Sequence, residues 1–362
     1  MEISQNVDLE FIKTRAYIAR HSYIEDMGNQ LPAFEKKLMG KNFKVHWASI
    51  QDDLVSMMFE LFPNKLYNRI CFDIPKIPEN FSNTKVVQKI SVAELENGQA
   101  NANILVTQAD FGVVETGSLV LLNKNCKNCF NLVTNIFIIL DISKLVNKLS
   151  ELETILYLRS FYQTEKFLPE DVKIINRPFM RIEKSKIVGL DEFESQEVQI
   201  HVFLYDNGVT KILSDSKLRN SLYCIGCGKC KSVCPVYNYT KEHSPIDLVK
   251  ANCFEEERLA GNIFKSTLLC GNCDQVCPVQ VPFTDLLISE MQMSRKERKD
   301  NSGHAKVFAK RKKLNKMSKG LNRYFFLKKQ YGANRMLYNY FKNQKGAFYN
   351  LKWLQEHQEN EQ

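Results

Sequence analysis

The chain has 362 residues, 44% of them apolar and 25% charged, which is enough for one large or two ordinary domains with real cores and makes it a globular protein. Its formal charge of +9 is uneven: Arg295 to Lys345 holds seventeen Lys or Arg against two acids, a local balance of +15, so a mildly acidic body carries a basic tail. The opening residues MEISQNVDLE lack a basic stretch followed by an apolar one, and the most apolar run, Leu132 to Ile142, is broken by Asn135 and Asp141. The first does not read as a secretory signal nor the second as a membrane span, and a cytoplasmic protein is expected.

The first hundred residues mix helical and strand patterns. Leu54, Met57, Met58 and Leu61 in QDDLVSMMFELF fall on one helical face, and NRICFDIP then reads as a buried strand ended by proline. Short apolar strands follow in NILVTQA, DFGVVETG, SLVLLNK and NIFIILD, punctuated by Gly112 and Gly117. In SKLVNKLSELETILYLRS, Ser143 reads as an N-cap and Leu145, Leu149, Leu152 and Leu156 as one helical face. Val198, Ile200, Val202 and Leu204 alternate along the next strand, and the DNG at Asp206 to Gly208 predicts a hairpin turn. Strands with covering helices give a layered α/β domain over residues 1–215. Asp110, Glu115, Thr116 and Gly117 stand at strand ends, where they either line a substrate pocket or simply make turns. His46, His201, His243 and His304 are scattered, none at metal-ligand spacing from another.

Residues 216–294 form a cysteine-rich module. In a reducing compartment, clustered cysteines more often bind metal than form disulfides. Cys224, Cys227, Cys230 and Cys234 in CIGCGKCKSVCP are spaced as in the run that holds cubane clusters in bacterial two-cluster ferredoxins. A shortened repeat, CGNCDQVCP, supplies Cys270, Cys273 and Cys277. The last cysteine of each such run ligates the other cluster. By that rule cluster A takes Cys224, Cys227, Cys230 and Cys277 and is 4Fe-4S. Cluster B takes Cys234, Cys270 and Cys273, because Thr267 stands where a complete second run would have its first cysteine. Cluster B is then 3Fe-4S, or 4Fe-4S with a ligand from elsewhere, or labile. Cys253 is the nearby cysteine free to help, and is otherwise a small buried apolar residue. A zinc site fits less well, since structural zinc favours two C-x2-C pairs or cysteine with histidine. The lone pair Cys126 and Cys129 reads as structural or incidental, and Cys71 as core.

These motifs together resemble the lactate utilization protein B family. The matching stretches are KVHWA, VTQADFGVVETGSLVLLN, LRSF, VFLYDNGVTKILSD, LRNSLYCIGCGKCKSVCPVYNY and CGNCDQVCPVQVPFTDLL, in order, over roughly residues 40 to 295. The resemblance implies a first domain similar in fold to ribose-5-phosphate isomerase and the CoA transferases, followed by an α-helical two-cluster ferredoxin-like module. It implies an iron–sulfur electron-transfer subunit in the oxidation of L-lactate to pyruvate. The implied partners are a cysteine-rich iron–sulfur protein and a second protein with the lactate-utilization domain. The chain departs from the family in being shorter, with an N-terminal half that reads as trimmed. The alternative is an isomerase- or transferase-like α/β binding enzyme whose clusters serve structure or redox sensing.

The tail, residues 295–362, places Leu314, Met317, Leu321 and Phe325 at helical spacing among lysines and arginines. A basic amphipathic helix of this kind suits a partner's groove or the inner membrane surface. No nucleic-acid fold signature accompanies it, so nucleic acid is not an expected partner.

Overall fold

A computed structural model describes residues 8–62, 68–74, 87–122, 129–166, 169, 171–184, 193–250 and 267–298. Cys126, Cys253 and the basic tail beyond residue 298 lie outside them. The chain divides into two compact units, Met1–Thr210 and Lys211–Gln362.

Two helices open the first unit, α1 (Leu9–Glu25) and α2 (Met27–Met39). Asp8 starts α1 by accepting from the N–H groups of Glu10 and Phe11. On its buried face stands Arg20, only 1% exposed. Its Nη1 donates to the Leu145 carbonyl at 2.7 Å and its Nη2 to the Ser143 carbonyl at 2.5 Å, while the Tyr23 hydroxyl donates to the Ile142 carbonyl at 2.6 Å. A buried guanidinium is tolerable when its donors find acceptors in this way.

The strands of the unit are β1 (Lys44–Ala48), β2 (Asn68–Asp73), β3 (Val87–Ile90), β4 (Ile104–Gln108), β5 (Phe111–Val113), β6 (Ser118–Leu122), β7 (Asn135–Asp141), β8 (Leu145–Val146), β9 (Val172–Ile175), β10 (Met180–Lys184), β11 (Phe193–Glu197) and β12 (Gln199–Tyr205). Six of them form a parallel sheet in the order β1-β12-β7-β4-β2-β3. Strands sandwiched on both faces read as continuous apolar runs, and β7 is buried from Ile136 to Leu140. Helix α3 (Gln51–Glu60) brings Leu54, Val55 and Met58 to a core with Ile70, Ile104, Val106, Phe137 and Phe203. The α/β class expected from the strand runs is the one observed.

Two local expectations are corrected. The DNG after β12 makes no hairpin: β12 pairs in parallel with β1 and β7, and the chain passes into helix α6 (Val209–Ser214), α4 (Val92–Glu96) and α5 (Leu149–Thr164) having come earlier. Asn207 and Gly208 take left-handed backbone, and Asp206 Oδ1 accepts from the Thr210 N–H, which is helix-start chemistry. Nor does Ser143 cap a helix. Its own N–H is bonded to Asp141 Oδ1 at 2.7 Å in a 3-10 turn, Leu145 belongs to β8, and α5 begins at Leu149 behind Lys148.

A second sheet, β8-β5-β6-β9, carries the DFGVVETGSLVL stretch. Gly112 is required there by packing: a Cβ would meet Phe34 Cζ at 2.9 Å, with Leu140 and Leu145 methyls close behind. Strands β10 and β11 form a separate antiparallel pair.

Parallel pairing of β1 with β12 stacks His46 on His201, ring centroids 5.2 Å apart, with His46 Nε2 3.0 Å from His201 Nδ1. Burial beside Phe137, with His46 and Lys44 adding like charge, holds His201 down at about 4. In the unfolded chain histidine titrates near 6.5. The folded state therefore keeps a neutral ring that the unfolded state protonates, so stability present above pH 6.5 falls progressively towards pH 4, by on the order of 3 kcal/mol in total. Urea unfolding of the full chain is expected to show a lower midpoint at pH 5 than at pH 7. The difference should shrink in His201→Phe, which keeps a ring among Phe137 and Phe203; an equal difference in that variant would refute the assignment.

The second unit is helical: after a 3-10 turn (Arg219–Tyr223) come α7 (Lys229–Val233), α8 (Pro235–Thr240), α9 (Pro245–Lys250), α10 (Asn272–Val276) and α11 (Phe283–Arg298). Among the described residues no helix is long and apolar enough to cross a membrane.

Candidate functional site

The two cysteine runs fold alike. Gly228, at φ 75 and ψ −2, precedes α7, and Gly271, at φ 76 and ψ −2, precedes α10. Left-handed backbone at that point favours glycine, and it turns the chain so that each short helix presents its middle cysteine, Cys230 or Cys273. Cys234 and Cys277 then end the helices in extended backbone, followed in each case by proline. Helices α7 and α10 pack on one another, which brings the two runs together.

The buried thiols of the two runs act on one another mainly in two sets. Burial pushes the Cys230 thiol up, and the nearby sulfurs of Cys224, Cys227 and Cys277 push it further. Burial raises Cys277 to about 12, where the N–H groups of Val281 and Val279 work against it and Cys224 and Cys227 work with it. Burial also raises Cys273, with Asp274, Cys270, Cys234 and, least of these, Cys230 adding to it. Cys270 is raised chiefly by burial, eased by the Asn272 N–H and opposed again by Cys234. Crowded thiols that repel one another's charge are what a cationic centre neutralises, since iron binds thiolate rather than thiol.

Backbone amides point at the sulfurs as well. The N–H groups of Gly226, Tyr237 and Val281 reach the Sγ atoms of Cys224, Cys234 and Cys277 at 3.4, 3.4 and 3.3 Å. N–H donors of this kind stabilise the added negative charge of a reduced iron–sulfur cluster. Ile225, Leu248, Val279, Val281 and Phe283 bury the surroundings and keep them dry. Cys234, Cys270 and Cys273 line a small cavity of about 20 Å³ together with Thr267, Pro235 and Leu287. The donor set and the amides fit iron–sulfur clusters. Asp274 anchors the second run by accepting from the Thr284 N–H at the start of α11 and from its hydroxyl.

The four polar positions singled out in the first unit sit around the β5–β6 turn, each with a structural engagement. Asp110 pairs with Arg159 at 3.0 Å and accepts from the Leu122 N–H. Glu115 accepts from the Leu149 N–H at the start of α5. Thr116 donates to the Ser118 hydroxyl. Gly117, at φ +60, lies where a Cβ would meet Lys37 Cβ at 2.8 Å. Lys37 itself donates to the Val114 and Glu115 carbonyls.

Sequence reasoning missed the cavity of about 460 Å³ beside β9, lined by Phe130, Asn131, Lys173, Asn176, Arg177 and Phe179 among others. Lys173 Nζ stands 3.9 Å from the Phe130 ring centre. Asn176 joins this cavity to the β5–β6 turn by accepting from Ser118. The neighbouring Cys129 is buried and disulfide-bonded, where reduced thiols were expected.

The LUD domain family matches residues 31–184, and the 4Fe-4S dicluster domain family matches residues 220–281. Lactate utilization protein B of Macrococcus caseolyticus (strain JCSC5402) is 30% identical over 202 residues, 53% of this chain and 40% of that protein. Lactate utilization protein B of Bacillus cereus (strain AH820) is 28% identical over 219 residues, 58% and 43% of the two. The chain thus spans about two fifths of the length of these relatives. A crystal structure of a DUF162 family protein from Deinococcus radiodurans aligns at 13% identity and a TM-score of 0.33, over 49% of this chain and 97% of that one. The chain matches the LUD domain family and then the 4Fe-4S dicluster domain family, and with both it resembles the lactate utilization protein B family.

Proposed function

We propose that the chain is the iron–sulfur electron-transfer subunit of a cytoplasmic system that oxidises L-lactate to pyruvate. What supports this reading most is the grouping of the thiols across the two runs: Cys277 of the second neighbours Cys224 and Cys227 of the first, and Cys234 of the first neighbours Cys270 and Cys273. Cluster A is held by Cys224, Cys227, Cys230 and Cys277 as 4Fe-4S, and cluster B by Cys234, Cys270 and Cys273 as 4Fe-4S or 3Fe-4S. When bound, such clusters move electrons one at a time. The chain's own residues hold the sulfurs, aim amide dipoles at them and exclude water with an aliphatic shell, which is how a protein sets a cluster's potential.

Oxidation of a 2-hydroxy acid to a 2-oxo acid releases two electrons and two protons, so a subunit that handles electrons singly needs partners for the carbon chemistry. Those partners are a cysteine-rich iron–sulfur protein and a second LUD-domain protein, with the basic tail as a contact to a partner or to the inner face of the membrane. The test is anaerobic purification, with iron and sulfide counted and dithionite added stepwise. Two reducible clusters and no lactate oxidation by the isolated chain are expected; absence of any reducible cluster sinks the proposal.

The cavity beside β9 favours a second reading. Its two cationic side chains, two amides and aromatic walls suit a small organic anion, which would make the first domain a binding enzyme and the clusters its redox-sensing appendage.

A further inference from the structure

Superposing the two cysteine runs by residue type sets Cys227 with Cys270, Cys230 with Cys273 and Cys234 with Cys277, and leaves Cys224 opposite Thr267. The local bonding at that unmatched pair is the same. Cys224 Sγ accepts from the N–H two residues on, that of Gly226, at 3.4 Å. Thr267 Oγ1 accepts from the N–H two residues on, that of Leu269, at 3.2 Å. The backbone agrees: Gly226 has φ 71, and Leu269 has φ 51 although side chains rarely adopt that conformation. The second run thus keeps, at a leucine, a turn that the first makes with glycine, and the turn puts an oxygen in the place of the missing sulfur. Thr267 also lines the small cavity that Cys234, Cys270 and Cys273 line.

We infer that Thr267 is the fourth ligand residue of cluster B, holding one iron through its hydroxyl oxygen. This rests on the electron-transfer reading above and sharpens it, because an iron held by oxygen among sulfurs is the one that exchanges. Iron–sulfur chemistry prefers soft thiolate, so an oxygen ligand binds that corner less firmly than cysteine does. Cluster B is then a 4Fe-4S centre with one labile iron: on oxidation, one electron passes to the oxidant and one ferrous ion leaves, with the four sulfides retained on three irons.

The full chain and its Thr267→Cys, Thr267→Val and Cys253→Ser variants are loaded anaerobically with ferrous iron and sulfide, then treated with ferricyanide and a chelator. Iron release and electron paramagnetic resonance are followed. The parent chain is expected to release one iron per chain and gain the spectrum of an oxidised three-iron cluster, reversed by ferrous iron with dithionite. Thr267→Cys should release it roughly tenfold more slowly or not at all. Thr267→Val should hold the three-iron form from the start and take up no further iron, while Cys253→Ser behaves as the parent. Retention of the fourth iron in Thr267→Val, its loss in Cys253→Ser, or unchanged release from Thr267→Cys would each overturn the assignment. The signal of cluster A, whose ligands these variants leave intact, separates that failure from failure of the electron-transfer reading, in which no variant shows any cluster.

Discussion

Replacing Cys277 with serine is expected to abolish the same cluster that Cys230→Ser abolishes, and to spare the one that Cys273→Ser abolishes. Neighbourhood along the chain argues the opposite, because Cys277 lies four residues from Cys273 and forty-seven from Cys230. The folded unit supports the crossed grouping: Cys277 and Cys230 are each raised by Cys224 and Cys227, whereas Cys273 is raised by Cys270 and Cys234 ahead of Cys230. Serine keeps the size of the side chain and lacks the soft thiolate, so each single change should remove about half of the iron and sulfide, one of two clusters. Loss of a cluster also removes the charge neutralisation of a buried thiol group, and unit 2 should become easier to unfold. Electron paramagnetic resonance of the reduced variants separates the two clusters. A Cys277→Ser chain that retains the signal missing from Cys230→Ser would break the crossed assignment.

Arg20→Met should cost the first unit about 3–5 kcal/mol, since two charge-assisted hydrogen bonds are lost and two buried carbonyls, those of Ser143 and Leu145, are left without them. For a unit of about 200 residues that corresponds to a fall in thermal midpoint of roughly 10 °C. Methionine fills comparable volume, which isolates the polar loss from a cavity effect. The cluster spectra belong to the other unit and serve as an internal reference that should not change. A shift of less than a degree would mean that the 3-10 turn at Ile142–Lys144 does not depend on the guanidinium.

The residues that could be read in advance were those whose chemistry is local. The spacing of seven cysteines with glycine between them and proline after them announces both runs, because ligation by a tight loop needs that spacing and no distant information. Apolar runs such as NIFIILD and NILVTQA announced central strands for the same reason. The errors arose where partners decide the outcome. DNG after a strand suits either a hairpin or the start of a helix, and only pairing of β12 with β1 and β7 on its two sides selects the helix. Ser143 resembles a helix N-cap, yet Asp141 and Arg20 together bind its backbone into a 3-10 turn. His46 and His201, 155 positions apart, looked unrelated until the register of two parallel strands stacked them. Thr267 was legible as a missing cysteine, but its equivalence to Cys224 needed the backbone of Leu269.

The contacts of α1 bear on where the first domain begins. The LUD family match starts at residue 31, inside α2, and leaves out Arg20 and Tyr23. Yet those two side chains satisfy three carbonyls of the segment that follows the central strand β7. The contacts that hold this backbone therefore reach at least one helix beyond the matched stretch: a fragment begun at residue 31 would leave those three carbonyls without these donors.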